Sequence, residues 1–147
     1  MKVLQINAND TIPIRHRMLR KNQTTKECVY PGDAEDQTFH LGAFEEGRLV
    51  SVASFYFQNN PKFEEPLQYR LRGMATLPEN QKKGSSSALL KIAFPLVKQN
   101  QGSLVWCNAR EAAVGFYKKV GFEVSGKKFN IPGIGEHFLM FKKFLRR

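Results

Sequence analysis

The sequence predicts an α+β domain built around one mixed sheet, and three observations carry that prediction. Hydrophobic periodicity along the chain gives the order β, α, loop, β, β, β, α, β, α, β, β. Hairpin-type joins are mixed with two helices that cross from strand to strand, which combines antiparallel and parallel pairing. At 147 residues the chain fits a single domain, residues 1–147, with enough core to fold without covalent or metal staples.

The elements follow in order. Val3, Leu4 and Ile6 mark a first strand. Asp10 or Thr11 can cap the next element and Pro13 suits a first helical turn, so residues 14–21 read as a short helix with Ile14, Met18 and Leu19 inward. Residues 22–37, including Pro31, Gly32 and Asp33, show no period and read as a loop, either a substrate-side feature or a plain connector. Residues 38–44 and 48–57 form the clearest hairpin, turning at Glu45, Glu46 and Gly47, and its second strand carries Val50, Val52 and the run Phe55, Tyr56, Phe57. Asn59, Asn60 and Pro61 end it. Leu67, Tyr69 and Leu71 then alternate into a central strand, in which Gly73 points to a bulge or a close backbone approach.

After Ser85, the residues Ala88, Leu89, Ile92, Ala93, Leu96 and Val97 make one face of a helix, and Pro95 should kink or end it nearby. Residues 103–107 read as a short buried strand. Asn108 suits the N-cap of a further helix, with Glu111 at the position that reaches back to it. That helix runs through Ala112, Ala113, Phe116, Tyr117 and Val120 and stops at Gly121. Residues 122–129 and 136–144 are the last two strands, joined by Pro132, Gly133, Ile134 and Gly135.

Composition narrows the function. A hydrophobic fraction of 41% and a charged fraction of 24% belong to an ordinary globular protein. No apolar run approaches the roughly 20 residues of a bilayer span, and the start alternates like a strand without a signal-peptide core, so no membrane role is expected and the cytoplasm is the default location. Cys28 and Cys107 have neither the number nor the spacing of a disulfide framework or zinc site, so no metal is expected, and Cys107 beside Trp106 reads as a core filler. The net charge of +10 favours a polyanionic partner: nucleic acid, an acidic surface or a polyphosphate cofactor. Much of the excess is spread over Arg15, Arg17, Arg20, Lys21, Lys127, Lys128, Lys142, Lys143, Arg146 and Arg147, which read as solvated faces.

The chemistry centres on residues 71–87. A strand passes through the polar stretch Gln81, Lys82, Lys83, Gly84, Ser85, Ser86, Ser87 into a helix whose first N–H groups have no internal acceptor, so an anion can be held by backbone alone, with Lys82 and Lys83 adding charge. An ordinary strand-to-helix turn would use similar residues. The stretch fits neither the nucleotide P-loop nor the Rossmann glycine pattern.

Gln81-Lys82-Lys83-Gly84-Ser85-Ser86 resembles the acyl-CoA pyrophosphate loop of the GNAT N-acetyltransferases, Gln/Arg-x-x-Gly-x-Gly/Ala, with Ser86 in the last small position. A second stretch, Asn108 through Ala113 to Phe116-Tyr117 and Gly121-Phe122, resembles the other hallmark of that family, Asn-x-x-x-x-Ala-x-x-Phe-Tyr-x-x-x-Gly-Phe, at the usual distance downstream. Together with residues 14–20 and 40–50, the resemblance to small bacterial-type members covers nearly the whole chain. It implies the GNAT acyl-CoA N-acyltransferase fold, a central mixed, mainly antiparallel twisted sheet flanked by helices. It implies acetyl-CoA as acyl donor and direct attack by a primary amine in a ternary complex.

The family's features carry over residue by residue. Acyl-CoA would lie where residues 71–76 and 103–107 separate, with main-chain groups of Met74, Ala75 and Thr76 pairing with the pantetheine arm. Gln81, Lys82, Lys83, Gly84, Ser85, Ser86 and Ser87 would hold the pyrophosphate. Asn108 would sit beside the pantetheine and Tyr117 near the sulfur, with Phe116 a further cofactor contact. An N–H near Met74 could stabilise the oxyanion, and Tyr117 is the candidate acid for the leaving thiolate. As base or acceptor contact, His137 stands among His40, Glu136, Glu64 and Glu65. Cys107 has no evident His partner and is not expected to act as nucleophile.

The acceptor is left open between a small-molecule amine and a protein amine. Asp33, Glu35, Asp36, Glu64 and Glu65 would suit a cationic acceptor if they line its side. Two rival readings are an acyl-CoA sensor without catalysis and a basic nucleic-acid-binding module, although no nucleic-acid-binding signature is present. Edge strands near residues 136–144 would make a homodimer feasible.

Overall fold

A computed structural model describes residues 1–144, so Arg146 and Arg147 lie outside the described residues. The described strands are β1 (Lys2–Ile6), β2 (Phe39–Glu45), β3 (Arg48–Phe57), β4 (Gln68–Thr76), β5 (Leu104–Arg110), β6 (Glu123–Ile131) and β7 (Gly135–Lys143), and the helices are α1 (Ala8–Leu19), α2 (Ser85–Gln99) and α3 (Val114–Lys119). The strands form one sheet in the order β1-β2-β3-β4-β5-β7-β6. The β1–β2, β2–β3, β5–β7 and β6–β7 pairs are antiparallel, and β4–β5 is parallel with Gln68–Arg70 against Leu104–Trp106, so the sheet is mixed as expected. The chain divides into two compact units. One comprises Met1–Phe57 and Leu71–Leu96, the other Gln58–Arg70 and the described residues from Val97 onward.

In the first unit, the even positions of β3 meet α1. Val50 and Val52 cluster with Ile14, Ala75 and Leu77, and Ile6, Met18 and Leu19 pack around them. The helix begins earlier than its sequence suggested. Asn7 is its N-cap, the Asp10 carboxylate accepts from the Asn7 N–H at 3.0 Å, and Pro13 lies inside rather than at the first turn. Residues 22–37 are more ordered than a plain loop: they hold a 3-10 turn at Thr25–Cys28 and bury Cys28, Tyr30 and Asp33. Gly73 interrupts β4 with φ of 66°, and a Cβ there would stand 3.1 Å from Tyr30 Cε2. Both the left-handed backbone and the contact exclude a side chain.

One helix expectation holds in part and two need correction. α2 runs through Pro95 and ends nearby, at Gln99; Lys91, whose carbonyl loses its donor to the proline ring, is exposed, so water can serve it. The inward face of that helix is Leu89, Leu90, Ala93 and Val97, whereas Ile92 is 44% exposed. Asn108 caps no helix. β5 runs on to Arg110, which itself precedes a 3-10 turn at Glu111–Ala113 and then α3. The β5–β7 register holds through Arg110, so seven residues of ladder outcompete a capping box. α3 stops before Gly121 as expected, with Phe122 N–H donating to the Tyr117 carbonyl at 2.9 Å.

In the second unit, Leu104, Trp106 and Leu139 form a cluster flanked by Phe63, Phe129 and Phe141. β7 pairs with β5 on one side and β6 on the other, so residues 136–143 are interior and the edge expected there falls to β6. Among the described residues no helix is long and apolar enough to cross a membrane.

Candidate active site

The first unit supplies a strand, a looped-back turn and a helix start. At the end of β4, Ser51 Oγ donates to the Ala75 carbonyl at 3.1 Å and lies 2.7 Å from Thr76 Oγ1, which in turn lies 3.5 Å from Ser86 Oγ. The Gln81 amide donates back to the Thr76 carbonyl at 3.1 Å, folding the turn onto the strand. Gln81, Lys82, Lys83, Gly84 and Ser87 are exposed, and Met74, Thr76 and Ser86 are half-buried. The backbone is left-handed at Lys82 (φ 63°) and Gly84 (φ 83°), and nothing lies within 4 Å of where a Gly84 Cβ would sit.

α2 starts with the Ala88 N–H donating to the Gly84 carbonyl at 2.9 Å, so helix geometry leaves the N–H groups of Ser85, Ser86 and Ser87 without intrahelical acceptors. The Ser85 hydroxyl is buried and unpaired. Open space above the glycine, orphan donors and two lysines are what a pyrophosphate needs. The residues present therefore fit the charged tail of a coenzyme A thioester.

The second unit supplies Tyr117 and Cys107. Tyr117 is 8% exposed, packed against Phe116 and Phe122 at centroid distances of 5.4 and 5.2 Å, and its hydroxyl and the Cys107 thiol are near enough to shift each other's titration. Burial pushes the Cys107 thiol up to about 12, against a smaller lowering from the Tyr117 hydroxyl and Arg70. Burial, then the neighbouring Cys107, holds the Tyr117 phenol well above its ordinary range. Both groups are held in the protonated form at neutral pH, which argues against Cys107 as a thiolate nucleophile and leaves the Tyr117 hydroxyl able to donate a hydrogen bond.

A pH dependence follows from these two groups. The unfolded chain loses thiol protons near about 8.5 and phenol protons near about 10, whereas the folded chain keeps them. Above those values the unfolded state binds fewer protons, so stability falls with rising pH by about 1.4 kcal/mol per pH unit for each group in play. Urea unfolding between about pH 8 and pH 10 should show this loss, and Cys107→Ala should remove the thiol's share. A flat profile would contradict the burial of both groups.

The candidate bases fall apart from one another. Residues opposite each other on neighbouring strands share a face, and faces alternate along a strand. Cys107 is opposite Met140 and Arg110 is opposite His137, so Cys107 with its Tyr117 partner lies on one face of this unit, while His137 shares the other with Asn108 and Arg110. His137 is 4% exposed, donates from Nδ1 to the Gly135 carbonyl at 2.8 Å and lies 6.0 Å from the Phe129 ring centre. Glu136 is exposed, and Glu65 pairs with Lys143 at 3.3 Å.

His40, which the sequence also allows as a hydrogen-bonded structural histidine, is one, and it belongs to a buried polar network whose other members the sequence did not single out. Its Nε2 donates to the Asp33 carbonyl at 3.0 Å and its Nδ1 lies 2.6 Å from Ser54 Oγ. Arg15, expected on a solvated face, is 0% exposed. It donates to both Asp33 carboxylate oxygens at 2.7 and 3.1 Å, to Ser54 Oγ at 2.8 Å and to the Cys28 carbonyl at 2.8 Å. The Tyr56 hydroxyl also donates to Asp33. Burial alone would raise the Asp33 carboxyl, but donors from Arg15, Tyr56 and the Tyr30 N–H outweigh it and hold the group below the usual carboxylate range. Asp33 is thus neutralised and does not serve a cationic acceptor. The available signal was position: Arg15 falls on the same arc of α1 as Thr11, Ile14 and Met18.

The mixed seven-stranded sheet, with a strand that leads through a Gly/Ser turn into a helix start, is the architecture expected of an acyl-CoA transferase. The comparisons agree. The family model for the acetyltransferase (GNAT) domain matches residues 13–143. A Bacillus subtilis (strain 168) protein described as the uncharacterized N-acetyltransferase YitI is 43% identical over 142 residues, covering 97% of this chain and 95% of that protein. An aminoglycoside 6'-N-acetyltransferase complexed with coenzyme A shares the fold at a TM-score of 0.80 and 13% identity, covering 100% of this chain and 99% of that one. Escherichia coli ElaA does so at 0.75 and 12%, covering 97% and 99%. The chain belongs to the GNAT acetyltransferase family, whose acyl donor is acetyl-CoA.

Proposed function

We propose that this N-acetyltransferase moves an acetyl group directly from acetyl-CoA to an acceptor amine, with residues 81–87 holding the pyrophosphate and Tyr117 acting as acid. The observation that carries the reading is the turn before α2, where left-handed Lys82 and Gly84 leave the donors of Ser85–87 open to an anion. Met74, Ala75 and Thr76 would offer main-chain partners to the pantetheine arm, although the Thr76 carbonyl already accepts from Gln81. Asn108 and Phe116 are half-buried and would flank that arm.

The thioester supplies an activated carbonyl and a good leaving group. The Met74 N–H would steady the charge that develops on the carbonyl oxygen. The Tyr117 hydroxyl, protonated at neutral pH beside the Cys107 thiol, would donate to the departing sulfur, its proton being replaced from solvent. His137 faces away from Tyr117 within its unit, so removal of the ammonium proton is assigned to water rather than to that ring. Both cysteines are free, which suits a reducing cytoplasm.

Calorimetry with acetyl-CoA tests the loop. Saturable binding is expected, and Gly84→Val should weaken it by about ten-fold, because a β-branched residue is strained at this φ and must reshape the turn. Absence of binding at millimolar ligand would overturn the proposal.

A further inference from the structure

We infer that the acceptor amine carries an anionic group, a carboxylate or a phosphate ester, received by Arg20 and Arg72 beside the Tyr30 ring. The inference rests on the acetyltransferase reading above and names the class of its acceptor. Three guanidinium groups gather on Tyr30: those of Arg15, Arg72 and Arg20 lie 4.1, 4.3 and 5.5 Å from the ring centre. Arg15 is matched by Asp33. Among the described residues Arg20 and Arg72 have no carboxylate partner, and Glu79 is taken by Arg17 at 3.3 Å and Arg48 at 3.0 Å. The Nε of Arg20 is buried without any hydrogen-bond partner.

These distances keep the Arg20 and Arg72 charges within about 10 Å of each other, a Debye length at 0.1 M salt. Both side chains are half-buried, so water and salt relieve their repulsion incompletely. A guanidinium laid on an aromatic ring keeps its N–H edge for a ligand, and that edge fits carboxylate or phosphate oxygens with two parallel hydrogen bonds.

The ring that organises them is held rigidly. The Tyr30 N–H donates to Asp33 at 2.9 Å, and the ring closes over Gly73, where a Cβ would stand 3.1 Å from it. Arg72 and Gly73 immediately precede Met74 on β4, so an anion bound here is anchored next to the N–H assigned to the acetyl oxygen. Asp33, the acid that would have welcomed a polycationic acceptor, faces Arg15 instead. The patch therefore selects an amine with its own negative charge over a polyamine.

Calorimetry in the presence of saturating coenzyme A tests this with matched probes: α-amino acids against their carboxamides, and O-phosphoethanolamine against ethanolamine. At least one anionic probe should bind ten-fold or more tightly than its neutral match, the two series telling carboxylate from phosphate. That preference should fall several-fold in Arg72→Gln and, independently, in Arg20→Gln, each checked for native circular dichroism. Equal or absent binding of charged and neutral members, or a preference that survives both substitutions, would overturn the inference. Turnover is then read with acetyl-CoA on the same probes and on putrescine. Acetylation without preference for the anionic probes overturns the anion site and leaves acetyl transfer standing. An arginine-dependent anion preference with no turnover on any amine keeps the site and overturns acetyl transfer.

Discussion

Replacing Tyr117 by phenylalanine lowers kcat by about 10²-fold while leaving the acetyl-CoA Kd within about two-fold, the pattern of a group that acts in the transition state rather than in binding. The substitution keeps the buried ring and its contacts with Phe116 and Phe122, so packing is not what it tests. It removes one hydroxyl whose neighbour is the Cys107 thiol, at most a weak hydrogen-bond partner. Stability should therefore hold while the leaving thiolate loses its proton source. Steady-state kinetics beside calorimetry separates the two readouts, and an unchanged kcat would remove Tyr117 from the mechanism.

Asp33→Asn is expected to destabilise the fold by about 3–5 kcal/mol, the usual penalty for stranding one member of a buried ion pair. The Arg15 side chain is 0% exposed and that of Asp33 is 5% exposed, so water cannot take the carboxylate's place around the guanidinium. Urea unfolding reads the loss. Adding Arg15→Met to the variant should recover much of it, because the stranded charge is then gone. The wild type carries a corresponding acid sensitivity. The Asp33 carboxyl is held below its usual range, so its contribution is complete above the unfolded value near about 3.9 and disappears as the pH falls through the lower folded value. A variant as stable as the wild type would contradict the network's role.

The parts of this protein that follow local rules were legible in the sequence. The strand character of Val50, Val52 and the run Phe55, Tyr56, Phe57, the turn at Gly47 and the arrest of α3 before Gly121 are decided by near neighbours, and the structure agrees at each. The two motifs likewise named the family, since both are contiguous stretches of chain. What failed was decided at a distance. Asn108 has the chemistry of a helix cap, but the ladder with Leu139 on β7 keeps it in a strand. Arg15 has the composition of a surface residue, but Asp33, Ser54 and the Cys28 carbonyl, 13 to 39 positions away, take it inside. The opposite facing of Tyr117 and His137 also depends on register, which no motif encodes.

Initial rates of amine-dependent coenzyme A release, measured over both substrates, address direct transfer most closely. Lines that intersect in double-reciprocal form are the expected result, since amine and acetyl-CoA must be bound together before the acetyl group moves. Parallel lines would mean that the acetyl group first rests on the protein, and they would contradict both direct transfer and the inert, protonated Cys107.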